Sequence, residues 1–419
     1  MAAIGDRETA GELMRICYLN NYLSLRGGSE RVLFNEADLM SRAGHVVSFF
    51  GRRGPQDITQ THAAFYPPVI DLEQLSLVGK IRHAPKLIYN AGTAHAFRRF
   101  LQEVRPSLLH AHNIYGGVTT AVLDVAREAQ LPVVLTAHDY KLVCPSYLAL
   151  DHGQVCAACA GQRFYHCLLK RCHKSNLVAS GIYTCEAYLT TWLHKYASVR
   201  LILCPSHFMC HTLLANGFAA DRVRYLPNAI DATAISPAIG GGAYALYVGR
   251  LSAEKGILTL LRALENTTVP ARIIGDGPLR DVLAEQIVRR HLQDRVTLVG
   301  YQTGKALAQT YRDAAFCVVP SEWYENAPMA VLEAFAYGKP VIGAAIGGIP
   351  ELITPETTGL LFPPGDSPAL RTCLETLWQA RGALGDLGQA ARLRVETTFA
   401  ADRHAESLLQ VYAEIVAGG

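Results

Sequence analysis

The sequence is poor in charge. Charged residues fill 18% of its 419 positions, against about a quarter in an ordinary soluble chain. The net charge is only +3, which makes no electrostatic case for a nucleic-acid partner. No uninterrupted apolar run approaches the roughly 18–20 residues of a membrane span. The best stretch, Leu177 to Leu193, is broken by Glu186 and several polar residues. Met1 to Met14 lacks a basic start followed by an apolar core, so the sequence predicts no signal peptide. There is no G-X-Y period and no low-complexity segment. These absences predict a cytoplasmic protein, with a peripheral position at the inner membrane face as the variant to keep in view.

What is present is apolar material: half of the residues are hydrophobic, which excludes a largely disordered chain. The length suits two or three domains. The halves are unlike. Residues 1–200 hold 21 Lys and Arg against 15 Asp and Glu, and 11 of the 15 His. The remainder carries a small acidic excess.

Short apolar runs alternate with helical patterns. The runs begin at Arg15-Ile16-Cys17-Tyr18-Leu19 and recur at 46–50, 107–112, 133–138 and 201–206. After Gly240-Gly241-Gly242 the pattern restarts at Tyr244-Ala245-Leu246-Tyr247-Val248-Gly249 and returns at 271–275, 296–300, 315–319 and 340–343. This is the signature of α/β architecture with doubly wound parallel sheets. It predicts two Rossmann-like domains, 1–232 and 233–395, followed by a C-terminal segment 396–419 with an amphipathic helix over Asp402–Val416. In such sheets ligands sit beyond the carboxyl ends of the strands, so the loops that follow strands are where chemistry is sought.

The strongest of these loops reads Ser321-Glu322-Trp323-Tyr324-Glu325-Asn326-Ala327-Pro328, then a helix carrying Glu333. A loop carboxylate can accept bonds from sugar hydroxyls, and a carboxylate a turn or two into a helix can hold a ribose diol. Gly249-Arg250-Leu251-Ser252-Ala253-Glu254-Lys255-Gly256 places two cations five residues apart after a strand, suited to a diphosphate leaving group. Gly347-Gly348-Ile349-Pro350-Glu351 supplies glycines for a close backbone approach.

These motifs, in the order Gly27-Gly28 loop, Thr136-Ala137-His138, Gly249-Arg250-Leu251 with Glu254-Lys255-Gly256, Gly275-Asp276-Gly277-Pro278-Leu279, Glu325 and Glu333, then Gly347 to Glu351, resemble the retaining glycosyltransferases of family 4. That family belongs to the glycogen-synthase and mannosyltransferase-like superfamily, and the resemblance spans about residues 15–395. It implies the GT-B fold, two Rossmann-like domains facing across a cleft with a C-terminal helix crossing back to the first. It implies hexosyl transfer from a UDP- or GDP-sugar to a hydroxyl of a saccharide or lipid-linked acceptor, in polysaccharide or glycoconjugate synthesis.

Position by position, Arg250 and Lys255 match the donor-diphosphate pair, Glu333 the ribose carboxylate, and Glu325 the carboxylate on the transferred sugar. Gly249, Gly275, Gly277, Asn326 and Ala327 fall in the donor-binding loops, as do Gly27 and Gly28 in the first domain. His138 matches the histidine over the donor sugar, so the expected catalytic group is His138, Arg250, Lys255 and Glu325. His112, Asp139 and Tyr140 are candidates for the acceptor side. The implied mechanism needs no metal or other cofactor, and the sequence contains no Asp-x-Asp.

The chain departs from the plainer family pattern in one segment. Cys144-Pro145 is followed by Cys156-x2-Cys159 and Cys167-x4-Cys172. A subset of family 4 shares a cysteine-rich segment after His-Asp-Tyr. Four thiolates, Cys156, Cys159, Cys167 and Cys172, suffice for a structural Zn²⁺, with disulfides or unligated packed thiols as the other readings. The insertion, 144–173, is expected to border the acceptor site. Two rival functions remain: a nucleotide-sugar 2-epimerase on the same fold, and a non-catalytic binding module.

Overall fold

The computed structural model describes residues 13–58, 61–69 and 76–418; most of the segment read for a signal peptide lies outside them. The chain divides into two compact units, one of Met1–Leu135, Lys195–Arg200 and Val411–Gly419, the other of Thr136–His194 and Leu201–Gln410.

The first unit is built on β1 (Arg15–Tyr22), β2 (Val46–Arg52), β3 (Leu108–Ala111) and β4 (Val133–Thr136), which pair in parallel in the order β2-β1-β3-β4. The residues of β3 and β4 are all buried. That explains their continuous apolar reading: a parallel strand covered on both faces shows no alternation. Helix Gly28–Arg42 returns the chain from β1 to β2. Helix Ala91–Val104 buries Phe97 and Phe100 against Phe50, with ring centroids 4.7 and 5.2 Å apart. The order reverses beside β1, so the loops after β1 and β3 flank the switch point where such sheets bind ligands.

The last part of the C-terminal helix Ala401–Ala417 belongs to this unit. Its Tyr412 hydroxyl lies 2.6 Å from His110 Nδ1 and 3.2 Å from the Tyr18 hydroxyl, and Arg200 donates to the carbonyl of Ile415 at 3.3 Å. Burial pushes the phenols of Tyr18 and Tyr412 well above their ordinary range.

In the second unit a small antiparallel hairpin, β5 (Leu150–Asp151) and β6 (Gln154–Val155), opens the cysteine-rich insertion. Two strands, β7 (Val199–Cys204) and β8 (Val223–Tyr225), pair in parallel. The large sheet comprises β9 (Tyr244–Val248), β10 (Ala271–Ile274), β11 (Val296–Gly300), β12 (Ala314–Val319), β13 (Val341–Ala344) and β14 (Gly359–Phe362). All are parallel, in the order β11-β10-β9-β12-β13-β14. All six residues of β12 are buried. The switch point lies between β9 and β12.

The α/β reading and the parallel sheets are as the sequence predicts. Three features escape it. β8 is three residues long and not fully buried, β14 starts at a glycine, and β5 and β6 have two residues each. None carries enough apolar residues to register as a run. No described helix is long and apolar enough to cross a membrane.

Candidate functional site

The loops after β9 and β12 leave neighbouring strands at the switch point, and their charged residues meet there. Lys255 Nζ lies 2.7 Å from Glu325 Oε1, and Ser321 Oγ donates to the same oxygen at 2.6 Å. The Lys255 ammonium also sits 4.9 Å from the Trp323 ring centroid. Glu325 is 5% exposed. Burial alone would push its carboxyl up, but the charge and hydrogen bond of Lys255, with the Ser321 hydroxyl, hold it below the ordinary value. The site therefore keeps a buried carboxylate ionised. Arg250, the other predicted cation, is exposed at the end of β9; Tyr247 donates to its carbonyl at 2.8 Å.

Backbone geometry makes this meeting possible. Gly256 has φ +66°, and a Cβ there would stand 1.7 Å from the carbonyl oxygen of Pro320. Gly347 has φ +59°, and its Cβ would stand 2.2 Å from the carbonyl oxygen of Glu325. Any side chain at either position would push the carboxylate loop away. Gly348 N donates to Glu325 O at 2.7 Å. The glycines read as allowing approach to a ligand thus allow approach to the loop that carries Glu325. The β10 loop with Gly275 and Gly277 is laced to the β9 loop: Gly249 N donates to Ile274 O at 3.0 Å, and Leu251 N to Asp276 O at 3.0 Å.

Asn326 is a strut. Its Nδ2 donates to the carbonyl of Ala137 at 2.6 Å, and its Oδ1 accepts from Ser206 Oγ at 2.6 Å. Ala137 N in turn donates to Leu203 O of β7 at 2.9 Å. One amide thereby fixes Ala137, immediately before His138, to the carboxylate loop. His138 is half-buried. Asp139 accepts from Lys141 N at 2.9 Å; burial pushes its carboxyl up to about 7, against the opposing pull of Lys141. Ala327 is held through its carbonyl, which accepts from Asn228 Nδ2 at 3.0 Å. Glu351 caps the helix His207–Ala215 by accepting from His207 N and Phe208 N, each at 2.7 Å. Sequence reading missed Ser206 and the capping role of Glu351. The signal was a Ser ending a strand before a helix, the usual mark of an N-cap.

Glu333 lies in helix Met329–Ala336 with Pro328 at its N-cap. It is 8% exposed and accepts from the Tyr311 hydroxyl at 2.8 Å, which orients the carboxylate predicted to meet a ribose.

Tyr140 is 1% exposed and packs edge-on against Phe208 and Tyr324, at centroid distances of 6.4 and 6.0 Å. These three rings line a cavity of about 280 Å³ whose other wall is the insertion, including Cys144, Cys156, Cys159, Cys172, His166 and Lys170. The buried Tyr140 hydroxyl has no hydrogen-bond partner. Behind the cavity, Cys159 and Cys167 pack with Phe164 and Ala187, and Cys172 and Tyr188 lie against them. All eleven cysteines are free thiols. Cys172 donates to Cys167, which holds the Cys167 thiol below its ordinary range and raises that of Cys172. All four predicted ligands lie in the insertion, but the structure does not bring their sulfur atoms to metal-ligand spacing.

A buried ion pair fastens the insertion to the strand-end loop. Lys141 Nζ pairs with Glu186 of helix Leu177–Trp192, both side chains being 5% exposed. Lys141 also donates to Pro145 O at 3.2 Å.

In the first unit, Gly27 is the N-cap of helix Gly28–Arg42 and both glycines are exposed, leaving backbone N–H groups open to an anion. His112 is 3% exposed, and its Nε2 lies 3.5 Å from Glu36 Oε2, which also stands 3.4 Å from His110 Nδ1. Among the described residues these three form the one group of side chains at metal-ligand spacing. His112 is therefore interior to its unit.

Residues 26–234 match the family model described as Glycosyltransferase Family 4, and residues 232–394 match the one described as Glycosyl transferases group 1. The sulfoquinovosyl transferase SQD2 of Arabidopsis thaliana is 32% identical over 224 residues, 49% of this chain and 42% of that protein. The amylovoran biosynthesis glycosyltransferase AmsK of Erwinia amylovora is 30% identical over 228 residues, 51% of this chain and 56% of that protein. The matches thus span about half the length, or less, of such curated relatives. Among solved structures, a sucrose-phosphate synthase from Thermosynechococcus elongatus aligns at TM-score 0.73 and 21% identity, over 97% of this chain and 100% of that one. Anabaena HepE in complex with UDP-glucose aligns at 0.66 and 18%, over 96% and 100%. These likenesses show the fold.

Proposed function

The chain belongs to the family 4 glycosyltransferases, with the GT-B fold, and from that premise we propose that it moves a hexosyl group from a UDP- or GDP-sugar to a hydroxyl of a saccharide or lipid-linked acceptor, with retention at the anomeric carbon. The observation that carries this reading is the ionised, buried Glu325 held by Lys255 at the switch point of the second unit.

In this reading the bond between the sugar C1 and the donor phosphate oxygen breaks, and its electron pair leaves with the diphosphate. The acceptor oxygen bonds to C1 from the same face, and its proton passes to the departing phosphate oxygen. Lys255 and Arg250 stabilise the charge that grows on the diphosphate, which replaces a metal in that task. Glu325 holds sugar hydroxyls, Glu333 the ribose, and His138 the sugar near the reacting carbon. The backbone of Gly249, Gly275 and Gly277 borders the donor, and Gly27 and Gly28 offer N–H groups to its phosphates. Asp139 and Tyr140 serve the acceptor side; a hydroxyl acceptor entering the cavity would satisfy Tyr140 Oη. The thiols of Cys156, Cys159, Cys167 and Cys172 would have to close in from positions that are not at ligand spacing to hold the structural Zn²⁺ proposed from the sequence, and elemental analysis of anaerobically purified protein is the test.

A thermal-shift screen of nucleotide sugars, followed by NMR of the transferred sugar's anomeric linkage, tests the reading. Stabilisation by a UDP- or GDP-sugar and a product with the donor's anomeric configuration are expected. An inverted linkage, or epimerised nucleotide sugar released without acceptor, would overturn it.

A further inference from the structure

The short helix Tyr165–Leu169 of the insertion and the helix that follows the insertion, Leu177–Trp192, pack together over its cysteines and also present large apolar side chains to solvent. In helix Leu177–Trp192, Val178 is 72% exposed, Leu189 40% and Trp192 67%. Their offsets of eleven and fourteen residues repeat the helical period, so the three share one stripe. Leu193 follows at 56%, and Leu169, ending the short helix that packs beside this one, is 70% exposed. Isolated exposed apolar residues are ordinary, but a stripe of this size on packed helices marks a surface that another phase or molecule covers.

The stretch of chain that carries the stripe is rich in one sign of charge. Between Arg163 and Lys195 the chain carries five Lys and Arg and a single acid, Glu186. That acid is buried and paired with Lys141. Lys170 is paired with Asp151 at 2.6 Å, whereas Arg163, Arg171 and Lys174 are exposed. An apolar stripe with an exposed tryptophan, preceded in the chain by exposed cations, matches the boundary of an anionic bilayer. Acyl chains accept the apolar groups there, the indole takes the headgroup level, and phosphates meet the cations.

We propose that this face of the two packed helices is a membrane-docking surface for anionic lipid. The Lys141–Glu186 pair makes the surface rigid with the loop that carries His138 and Asp139, so docking would set the catalytic residues of the second unit at a fixed height above the bilayer. This deepens the proposed transfer, because it rests on the reading that the acceptor is lipid-linked. Membrane binding is nonetheless measurable without any transfer.

The test is co-sedimentation of the full chain with vesicles of phosphatidylcholine alone and with phosphatidylglycerol added at about a third of the lipid, at low and high salt. The proposal expects binding to the anionic vesicles that weakens with salt, and a blue-shifted Trp192 emission quenched by brominated acyl chains. Each Lys or Arg near an anionic surface contributes about 1 kcal/mol, or roughly fivefold. The triple variant Arg163→Glu, Arg171→Glu, Lys174→Glu should therefore lose well over tenfold in partitioning. Trp192→Ser with Leu169→Ser should lose partitioning onto the anionic vesicles. In both variants nucleotide-sugar binding should be unchanged, which shows that the fold is intact. Absence of binding to anionic vesicles at low salt overturns the proposal, as does a dimer in sedimentation velocity that the Trp192 and Leu169 changes abolish. Failure of every nucleotide sugar to bind would instead overturn the transferase reading and leave the docking result standing.

Discussion

Lys255 Nζ and Glu325 Oε1 stand 2.7 Å apart, although seventy residues separate them in the chain. Each makes the other tenable. The ammonium keeps a buried carboxylate ionised, and the carboxylate aims the ammonium into the loops at the switch point. Removing one partner leaves the other buried without its counter-charge.

Lys255→Ala should therefore lower transfer by roughly 10²–10³-fold, as for loss of one preorganised electrostatic contact, and lower the melting temperature as well. Donor titration and steady-state kinetics check this, and undiminished transfer would remove Lys255 from the mechanism. Because the Glu325 carboxyl lies below its ordinary value of 4.5, its stabilising contribution is complete above that pH. It is lost as pH falls through the depressed value. Glu325→Gln should flatten that part of the acid-denaturation profile.

Asp139 has the opposite sign. Its carboxyl is raised from 3.8 to about 7 by burial, so the native state binds more protons than the unfolded state between those values. Stability should fall as pH rises from about 4 to 7, and Asp139→Asn should remove that slope. Urea unfolding at a series of pH values measures it. An identical slope in the variant would mean that Asp139 ionises normally.

The Asn326 strut predicts a sharp contrast between near-isosteres. Asn326→Asp replaces the donor facing Ala137 O with a second acceptor, which should cost about 1–3 kcal/mol and loosen the loop after Ala137 that carries His138. Ser206→Ala should cost less, since only one bond is lost and the amide keeps its contact with Ala137. Melting curves and kcat for both variants decide the order, and equal, negligible effects would deny the strut.

Lys141→Ala should destabilise the second unit by about 3–5 kcal/mol, because Glu186 is left buried without its counter-charge. The pair Lys141→Met with Glu186→Leu should recover most of that loss. Denaturant unfolding of both checks the claim. A double variant no more stable than the single one would show that packing, not charge, sets the cost.

The motifs at the switch points were legible because they are local. Gly249 to Gly256 and Ser321 to Glu333 each follow an apolar run that can only be a buried strand, and strand order then puts their loops side by side. Tyr140 and Asn326 were legible only in part: the sequence placed both near ligands, while the structure gives one a hydrophobic wall and the other a clamp. The role of Gly347 could not be read, since a positive φ has no sequence signature beyond glycine itself. His112 was read toward the acceptor because it ends a strand; its partner Glu36 lies on a helix more than seventy residues earlier, and no spacing rule connects the two.

By itself the sequence determined the two parallel α/β sheets and the order of the glycine, cation and carboxylate motifs that follow their strands, because burial on both faces and turn chemistry are written in short stretches of chain. Its broken apolar runs agree with the described helices, none of which is long and apolar enough to cross a membrane. Only the tertiary structure decided which charges meet. The Lys255–Glu325 pair, the bonds of Asn326 to Ala137 and Ser206, and the Lys141–Glu186 tie all depend on distances between segments far apart in sequence. The exposed stripe from Val178 to Trp192 belongs to the same class. The sequence shows that those residues are apolar, but only packing decides which apolar residues are left outside.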